Sequence, residues 1–282
     1  MGNNRPANGG GLSTGHMNSA PLNISVVTPS WNQASFIADA VESVRNQDYP
    51  NLEHLVLDNC STDGSVEILK RYSHLKLMCE PDKGQSDALN KGFKMASGDV
   101  IGWLNADDRY LPGCFKAVAD FFNSHPECDI VYGDYRLIDR EGGVLSRRKE
   151  LSFDLFMLKY LHVLYIPSTT VFFRRRVFEE GNFLDADYHY AMDYEFFLRL
   201  ALKGYRFGHI NAFLADFRTY PESKSRRQTL TQKQEMEKAL LDQDDVLKRL
   251  NAPWRQGVRN TLMVAARGKR CSLKFLRGAY FQ

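Results

Sequence analysis

Short aliphatic runs alternate with helical patterns in the first half of the chain, and this alternation constrains the fold more than any other feature. Runs rich in Val, Ile and Leu predict strands at 24–28, 52–57, 75–78 and 100–104. Apolar residues at helical spacing predict helices between them, including one from about Gln85 to Ala96. Strands that alternate with helices in this way form an open sheet with helices on both faces. We therefore expect an α/β protein with a Rossmann-like, mostly parallel sheet.

Polar residues follow each of these predicted strands. They stand at 29–32, 58–59, 80–82 and 105–108. Ligands of open parallel sheets bind beyond the carboxyl ends of the strands. The sequence therefore predicts one binding crevice, which these four segments line together.

The second half of the sequence is less regular. It predicts a strand at 130–134, a hairpin turn at 141–143, a strand at 169–173, a helix at 191–202, a strand or loop at 207–218, and helices at 228–250 and 254–267. Specificity for the ligand is expected in the irregular region, which spans residues 135–190.

Two adjacent carboxylates, Asp107 and Asp108, follow the fourth predicted strand. Oxygen-rich groups of this kind suit a hard divalent cation such as Mg²⁺ or Mn²⁺. A bound cation of this kind can neutralise the charge that develops on a departing pyrophosphate. The alternative is that the two acids cap the next helix, which the sequence predicts near Pro112.

Four further motifs are weak when each is taken alone. Asp58 fits either a hydrogen bond to a nucleobase or a turn, and Trp31 fits either a stacked base or a cover for the core. The segment 84–92 opens a helix and could hold an anion there, but it lacks both the dinucleotide and the P-loop glycine spacings. Asp193 stands at the start of a helix, as either a cap or a base.

Taken together, the five motifs resemble glycosyltransferase family 2 in order and spacing. The matching segments are 27–33, 58–64, 84–92, 103–108 and 192–195, and the resemblance covers roughly residues 22–221. This family contains inverting, nucleotide-sugar-dependent enzymes with the GT-A fold. The resemblance therefore implies a GT-A-type single domain with a mostly parallel sheet flanked by helices, followed by a helical C-terminal extension.

The resemblance assigns a sugar-donor site to residues from the first three segments. Pro29 and Trp31 would line the nucleoside pocket, with Trp31 against the base. Asp58 would bind the base or the ribose. Gln85 and Asp87 belong to a segment that lies near the sugar donor.

The same resemblance implies a divalent metal, Mn²⁺ or Mg²⁺. Asp107 and Asp108 match the end of a DxD-type motif, in which one acid holds the metal and its neighbour contacts the ribose or the sugar. Asn105 replaces the first acid that is often found there, so the metal is expected mainly on Asp108, with Asp107 as the second ligand and a contact of the sugar donor.

The last matching residues imply the diphosphate contact and the catalytic base. Arg218 and Lys224 match a basic segment near the diphosphate. Relatives often carry His two residues after that Arg, where this chain has Tyr220. Asp193 matches the general base, which would deprotonate an acceptor hydroxyl as it attacks the anomeric carbon.

These observations predict an inverting glycosyltransferase that moves a sugar from a nucleotide diphosphate, with UDP-sugar as the expected donor. The acceptor is expected to be a hydroxyl of a glycan or of a lipid-linked molecule in surface polysaccharide biosynthesis. A nucleotidyltransferase is a first alternative, although the glycine-rich basic loop that it usually carries is missing at 29–33. A non-catalytic nucleotide- or glycan-binding protein on the same scaffold is the second.

Charge is distributed unevenly along the chain. Residues 222–282 have a net charge of +8, and the preceding 221 residues have a net charge of −5. The helical pattern at 254–267 carries an apolar stripe with flanking arginines, which fits either peripheral contact with an anionic membrane through 254–277 or packing on the catalytic domain. No nucleic-acid motif accompanies the charge, so nucleic acid is not an expected partner.

The cysteine pattern and the lack of a long apolar run indicate the compartment. The five cysteines include no CxxC pair, and the most apolar stretch, 163–173, is interrupted by polar residues. We expect a cytoplasmic protein, with peripheral contact to the inner membrane face left open. The predicted organisation is a disordered or cloning-derived segment at 1–21, a GT-A domain at 22–221 and a basic helical extension at 222–282.

Overall fold

The structure is a computed structural model, and it describes residues 21–161, 163–224 and 229–279. The predicted N-terminal segment therefore lies outside the described residues, except for Pro21. Two short parts of the predicted C-terminal extension, 225–228 and 280–282, also lie outside them.

The strands of the described residues form one sheet. In chain order they are β1 (Ile24–Ser30), β2 (Leu52–Asp58), β3 (Leu75–Cys79), β4 (Val100–Trp103), β5 (Arg109–Tyr110), β6 (Ile130–Ile138), β7 (Val144–Arg148), β8 (Phe172–Arg174) and β9 (Phe207–Arg218). Across the sheet the order is β3-β2-β1-β4-β8-β6-β9-β5, and β7 pairs with β6.

Helices connect these strands and follow the last of them. They are α1 (Ile37–Arg45), α2 (Ser65–Leu69), α3 (Gln85–Met95), α4 (Cys114–Ser124), α5 (Leu155–Tyr160), α6 (Arg176–Glu179), α7 (Met192–Leu202), α8 (Thr229–Gln243), α9 (Asp245–Arg249) and α10 (Ala252–Leu276). The helix predicted at 191–202 is confirmed as α7.

The first half of the sheet is parallel, as the sequence predicts. Strand β1 lies between β2 and β4, and β3 pairs with β2, all in parallel. Helix α3 packs close to β1, because a Cβ atom at Gly92 would lie 2.3 Å from a methyl carbon of Val27. Glycine at this position therefore lets α3 approach the sheet and brings the start of the helix to the carboxyl ends of the strands.

The second half of the sheet reverses direction at β8. This strand is antiparallel to both β4 and β6, whereas the long strands β6 and β9 run parallel to each other. The uncertain segment 207–218 is thus a strand along its whole length. The predicted hairpin is present, with β6 and β7 as its strands.

Two predicted elements of the second half are wrong in detail. Residues 168–170 form a 3-10 turn. The strand predicted at 169–173 therefore begins only at Phe172, as β8. The Thr170 hydroxyl donates to the carbonyl of Pro167, three residues earlier, at 3.1 Å, and such local side-chain bonds to the backbone favour turns over strands. The helix predicted at 228–250 breaks into α8 and α9, because the Asp244 carboxylate accepts the Leu247 N–H and caps α9.

The main hydrophobic core lies between the sheet and helices α3, α5 and α7. Its largest buried side chains include Phe173, Phe196, Phe197 and Trp103. A second cluster covers the other face of the sheet, where Phe115 and Phe122 of α4 pack against β4 and β8. Helices therefore cover both faces of the sheet.

The C-terminal helices pack on this body. Helix α8 lies along α7, and α10 packs on α5. The basic residues of α10 face buried acids: Arg270 and Lys274 contact Glu150, and Arg277 contacts Asp134 at 3.2 Å. Helix α10 therefore packs on the body largely through its basic side, whereas Trp254 and Val258 of the apolar stripe are exposed, so the predicted packing of that stripe on the catalytic domain is wrong in this respect. None of the helices in the described part of the chain has the length and apolar character needed to cross a bilayer.

Candidate active site

A cavity of about 640 Å³ opens at the carboxyl ends of β1 and β4, where the sequence predicts the crevice. This volume is in the range of small-molecule sites. The cavity brings together residues that are far apart in the chain: Pro29, Trp31, Gln85, Asp107, Asp108, Asp193, Arg218 and Lys224. The predicted residues Asp58 and Asp87 do not line it.

Trp31 lies at the wall of this cavity, directly after β1. Its side chain is 63% exposed, so it does not cover the core. The next residue, Asn32, has a positive φ of 52°, and its N–H donates to the Ser61 hydroxyl at 2.8 Å. This tight turn holds an exposed indole against the cavity, where it offers a flat surface to a planar ring.

Asp58 and Asp87 are used by the surrounding structure. Asp58 is buried and accepts hydrogen bonds from the Ser30 hydroxyl at 2.8 Å and from the N–H of Ser61 at 2.7 Å. Asp87 accepts the Lys83 N–H in the first turn of α3 and lies 3.5 Å from Lys91. Asp58 therefore fixes the ends of β1 and β2, and Asp87 fixes the start of α3.

Gln85, at the first position of α3, bridges two sides of the cavity. Its amide nitrogen donates to Asn105 Oδ1 at 2.9 Å, and its amide oxygen accepts from Lys224 Nζ at 2.9 Å. The Trp103 indole N–H also donates to Asn105 Oδ1. Asn105 thus joins the end of β4 to the start of α3.

Asp108 forms the floor of the cavity. It is 1% exposed, and its oxygens accept bonds from the Thr169 hydroxyl, from the Asn105 amide at 3.1 Å and from the Arg218 N–H at 2.8 Å. Burial, and then the nearby charge of Asp107, raise the pKa of Asp108 above its usual value. The side chain is therefore enclosed by hydrogen-bond donors of the protein.

Asp107 is the more accessible of the two acids. The Tyr220 hydroxyl donates to its Oδ2 at 2.9 Å. Within residues 21–161, 163–224 and 229–279, no group of three or more His, Cys, Asp or Glu side chains could hold a metal. Mg²⁺ commonly rests on one or two carboxylates together with the phosphates of a substrate. Asp107 therefore fits a metal that is shared with a diphosphate, whereas Asp108 presents almost no free surface.

The Arg218 guanidinium supports the loop between β4 and β5, which carries Asp107 and Asp108 and is called the carboxylate loop below. It donates to the carbonyls of Asp107 at 2.8 Å and Arg140 at 2.7 Å, and to the Asp39 carboxylate at 2.8 Å. It also lies over the Phe36 ring, 4.9 Å from its centroid. These bonds occupy its donor groups and fix β9 to the loop that carries the two acids.

Asp193 lies in the first turn of α7 and lines the cavity. Burial raises the pKa of Asp193 to about 6, although the Tyr194 N–H bond and the charge of Lys224 lower it. Burial also lowers the pKa of Lys224, which the charges of Asp193 and Glu235 oppose. A carboxylate with this pKa is deprotonated at neutral pH and can still accept a proton.

Helix α8 contributes contacts that the sequence analysis does not foresee. The Glu235 carboxylate accepts two backbone N–H groups just before α7, and the Gln232 amide donates to the Tyr190 carbonyl at 3.0 Å. Farther along, Asp242 accepts the Tyr188 hydroxyl at 3.1 Å. The only available signal is the helical spacing of 232, 235 and 242, which aligns polar side chains on one side of α8.

The fold is shared with solved glycosyltransferases. It superposes on Staphylococcus aureus TarS, solved with UDP-GlcNAc, with a TM-score of 0.63 at 17% identity over 86% of this chain and 70% of that one. The mannosyltransferase PcManGT of Pyrobaculum calidifontis, solved with GDP-Man and Mn²⁺, gives a TM-score of 0.59 at 20% identity over 93% and 83% of the two chains. The predicted GT-A fold is therefore confirmed.

Sequence relatives agree with this class. TuaG of Bacillus subtilis, a glycosyltransferase named for teichuronic acid biosynthesis, is 28% identical over 72% of this chain and 81% of its own length. The Escherichia coli chondroitin synthase is 28% identical over 67% of this chain, and the Pasteurella multocida hyaluronan synthase is 27% identical over 70%. The matched part spans only 28% and 20% of those two proteins.

The protein thus has a GT-A sheet whose strand ends open on a cavity beside the carboxylate loop of Asp107 and Asp108. The family model for glycosyl transferase family 2 matches residues 25–181, which is more than half of the chain. The protein belongs to glycosyl transferase family 2. It is therefore a glycosyltransferase.

Proposed function

We propose that this enzyme transfers a sugar, with inversion, from a nucleotide diphosphate to a hydroxyl of a glycan or lipid-linked acceptor. One observation carries the proposal: a single cavity is lined by an exposed indole, a partly exposed carboxylate, a lysine and a second partly exposed carboxylate. These are Trp31, Asp107, Lys224 and Asp193. Together they supply the groups that the binding of a nucleotide sugar and the attack on it require.

The nucleoside would lie at Trp31 and Pro29, with its base against the exposed indole. A UDP-sugar is the donor that we favour. TarS was solved with UDP-GlcNAc and the mannosyltransferase with GDP-Man, so the shared fold accommodates both nucleotides. Asp58 and Asp87 act in this proposal through the turns that they hold, since neither reaches the cavity.

A divalent metal, Mn²⁺ or Mg²⁺, would rest on Asp107 rather than mainly on Asp108. When bound, it would neutralise negative charge on the departing diphosphate. Lys224 is a cation of the chain that lines the cavity. Arg218 acts as a support for Asp107, because its guanidinium is already bonded to the protein.

Asp193 would be the general base. Its carboxylate takes the proton of the acceptor hydroxyl while the acceptor oxygen forms a bond to the anomeric carbon. The bond from that carbon to the diphosphate oxygen breaks, and the nucleotide diphosphate leaves with the electron pair. Attack from the face opposite the leaving group inverts the anomeric centre, so an α-linked sugar donor gives a β-linked product.

Replacing Asp193 with Asn tests this assignment. General-base catalysis contributes on the order of 10²–10⁴-fold, so D193N should lose roughly that factor in transfer. Calorimetric titration with UDP, GDP and dTDP, each with and without Mn²⁺, should show unchanged nucleotide affinity in the variant. Wild-type turnover by D193N would overturn the base assignment. If the folded wild-type protein bound none of the nucleotides, the sugar-donor proposal would fail.

We further propose a role in surface polysaccharide biosynthesis, on the cytoplasmic side of the membrane. The names of TuaG, chondroitin synthase and hyaluronan synthase support a polysaccharide product. Acceptors of such pathways are often carried by lipids. We propose that the enzyme acts at the inner face of a membrane, and one surface of the molecule fits that position.

That surface is the outer side of α10. Eleven residues at helical spacing are exposed there and none is charged: Trp254, Gly257, Val258, Thr261, Val264, Ala265, Gly268, Cys271, Ser272, Phe275 and Leu276. Residues 252–277 also contain seven Lys or Arg and no Asp or Glu. An apolar face with basic flanks fits anionic lipid, whereas two such helices from two copies of the chain would repel each other.

Vesicle flotation tests the membrane contact. The protein should float with phosphatidylglycerol vesicles and remain in solution with phosphatidylcholine vesicles. The double variant Phe275→Ser with Leu276→Ser should lose flotation. The matched control is Leu230→Ser, which alters a side chain that is 72% exposed on α8. If the wild-type protein is a dimer in solution that F275S/L276S converts to a monomer, the face binds a second copy and the lipid proposal is wrong.

A further inference from the structure

The helix that carries Asp193 begins without a cap of its own. Ala191 is the N-cap of α7, and it offers no side chain that could accept a hydrogen bond. Ser, Thr, Asp or Asn usually stands at this position, because the first backbone N–H groups of a helix have no partner within it. The start of α7 therefore depends on acceptors from elsewhere in the molecule.

Glu235 of α8 supplies that acceptor. Its Oε2 accepts the N–H of Tyr190 at 2.7 Å and the N–H of Ala191 at 2.8 Å. In a capping box, a glutamate of the same helix accepts the N–H of the N-cap residue, and here a glutamate 44 residues later does so. Gln232, one turn earlier on α8, donates to the Tyr190 carbonyl at 3.0 Å. Side chains of α8 thus bind both backbone N–H and backbone carbonyl groups of the residues just before α7.

Asp193 follows two residues after this capped position. Its Oδ1 accepts the Tyr194 N–H at 2.8 Å, so the direction of its carboxylate depends on the backbone of the first turn. Any movement of 190–191 is therefore transmitted directly to the carboxylate. Positioning within a fraction of an ångström matters, because proton transfer requires the base within hydrogen-bond reach of the hydroxyl.

The charged groups around Asp193 come from three elements. Lys224 follows β9 and lowers the pKa of Asp193, whereas Glu235 of α8 raises it; both effects are smaller than that of burial. His189, from the loop before α7, also lines the cavity. The negative charge of Glu235 therefore acts on Asp193 in the same direction as burial.

We propose that Glu235 is a positioning residue for the general base, which it holds in place by capping α7 from the C-terminal extension. This inference rests on the proposed role of Asp193. The family model ends at residue 181, so neither Asp193 nor Glu235 lies in the matched region. Helix α8 thereby completes the catalytic site, although Glu235 itself does not line the cavity.

Two substitutions separate the hydrogen bonds of Glu235 from its charge. Both N–H groups bond to the same oxygen, so the amide oxygen of E235Q can accept them without the negative charge. Because the charge raises the pKa of Asp193, its removal should lower that pKa. The acid limb of the kcat profile should therefore move to lower pH in E235Q, with the KM for the sugar donor unchanged.

Glu235→Ala removes the cap itself. It should lower kcat at least about tenfold, within the range that general-base catalysis contributes, and leave the KM for the sugar donor near that of the wild type. The matched control is Glu237→Gln, two residues further along α8, where the carboxylate pairs with Arg259 of α10. This variant should retain the wild-type kcat and pH profile.

The outcomes distinguish this inference from the proposed function. If D193N retains full activity, the base assignment fails and the role of Glu235 fails with it. If D193N is inactive while E235A keeps the wild-type kcat, the positioning role of Glu235 is refuted and the base assignment stands. Should E235A fail to fold, as judged by circular dichroism, the same kcat measurement on Glu235→Asp decides, because its shorter side chain withdraws the accepting oxygen from both N–H groups.

Discussion

Two regions bring a carboxylate to the same cavity, and the structure supports them differently. The loop after β4 carries Asp107 and Asp108, and its supports come from the sheet: Thr169 before β8 and Arg218 at the end of β9. The start of α7 carries Asp193, and its support comes from α8, outside the sheet. The loop is therefore built into the core of the fold, whereas the base depends on the C-terminal extension.

Of the variants that test this comparison, Arg218→Met should cause the largest change, which is a loss of stability. It leaves the carbonyls of Asp107 and Arg140 without a partner beneath the loop. A buried acceptor left without a donor costs about 1–3 kcal/mol, so the loss of both bonds should lower the free energy of unfolding by about 2–5 kcal/mol in urea titrations. The control Lys116→Met alters an exposed pair and should stay within about 0.5 kcal/mol of wild type. A loss below 1 kcal/mol would show that the loop does not depend on the sheet.

Thr169→Val should have a smaller effect on the same loop. It removes one hydrogen-bond donor from the buried Asp108 carboxylate, which costs about 1–3 kcal/mol in the free energy of unfolding. The same bond lowers the pKa of Asp108, so that pKa should rise further in T169V. Thr261→Val, on the exposed side of α10, is the control for the loss of a hydroxyl. Equal stability of T169V and wild type would contradict the role of Thr169.

The pH profile tests the other region. Asp193 must be deprotonated to accept a proton, and burial raises its pKa to about 6. Transfer should therefore be nearly constant above pH 7 and fall as the pH drops through 6, to about one tenth of its maximum at pH 5. The residual activity of D193N should lack this acid limb. An identical limb in that variant would assign the titration to another group.

Tyr220→Phe should have the smallest effect. It changes the Mn²⁺ affinity of Asp107, the more accessible acid of the loop after β4. The phenol hydroxyl donates to Asp107 Oδ2 and so competes with a metal for that oxygen. A hydrogen bond of this kind contributes about 0.5–1.5 kcal/mol, so Mn²⁺ affinity in the presence of UDP should rise by about two- to tenfold. Calorimetry measures this, with Tyr72→Phe as the control. Weaker metal binding would mean that Tyr220 orients Asp107 for the metal.

The sequence predicts what is local in this structure. The strand–helix alternation gives the parallel half of the sheet, and the position of polar residues at strand ends gives the location of the cavity. Trp31 directly follows β1, and Asp107 lies in the short loop between β4 and β5, so the strand pattern places both at the cavity. For these residues, the nearby strand in the sequence determines where the side chain lies in the structure.

The sequence could not predict how polar residues divide between the ligand site and the structure. Asp58 and Asp87 have the same residue type as Asp107, but nearby hydroxyl and N–H groups of the protein bind them instead. Whether Arg218 faces a ligand or the carbonyls beneath the loop depends on residues more than 70 positions away. The capping of α7 by Glu235 likewise depends on a contact between segments that are distant in the sequence, and no local sequence pattern indicates it.

The contacts between α7 and α8 have a consequence for protein engineering. Glu235, Gln232 and Asp242 bind backbone or side-chain groups within 188–191. An exchange of C-terminal halves between two relatives at residue 221 would pair the base-bearing segment of one parent with the supporting helix of the other. A functional chimera should therefore take 188–202 and 229–243 from the same parent, as one inherited unit.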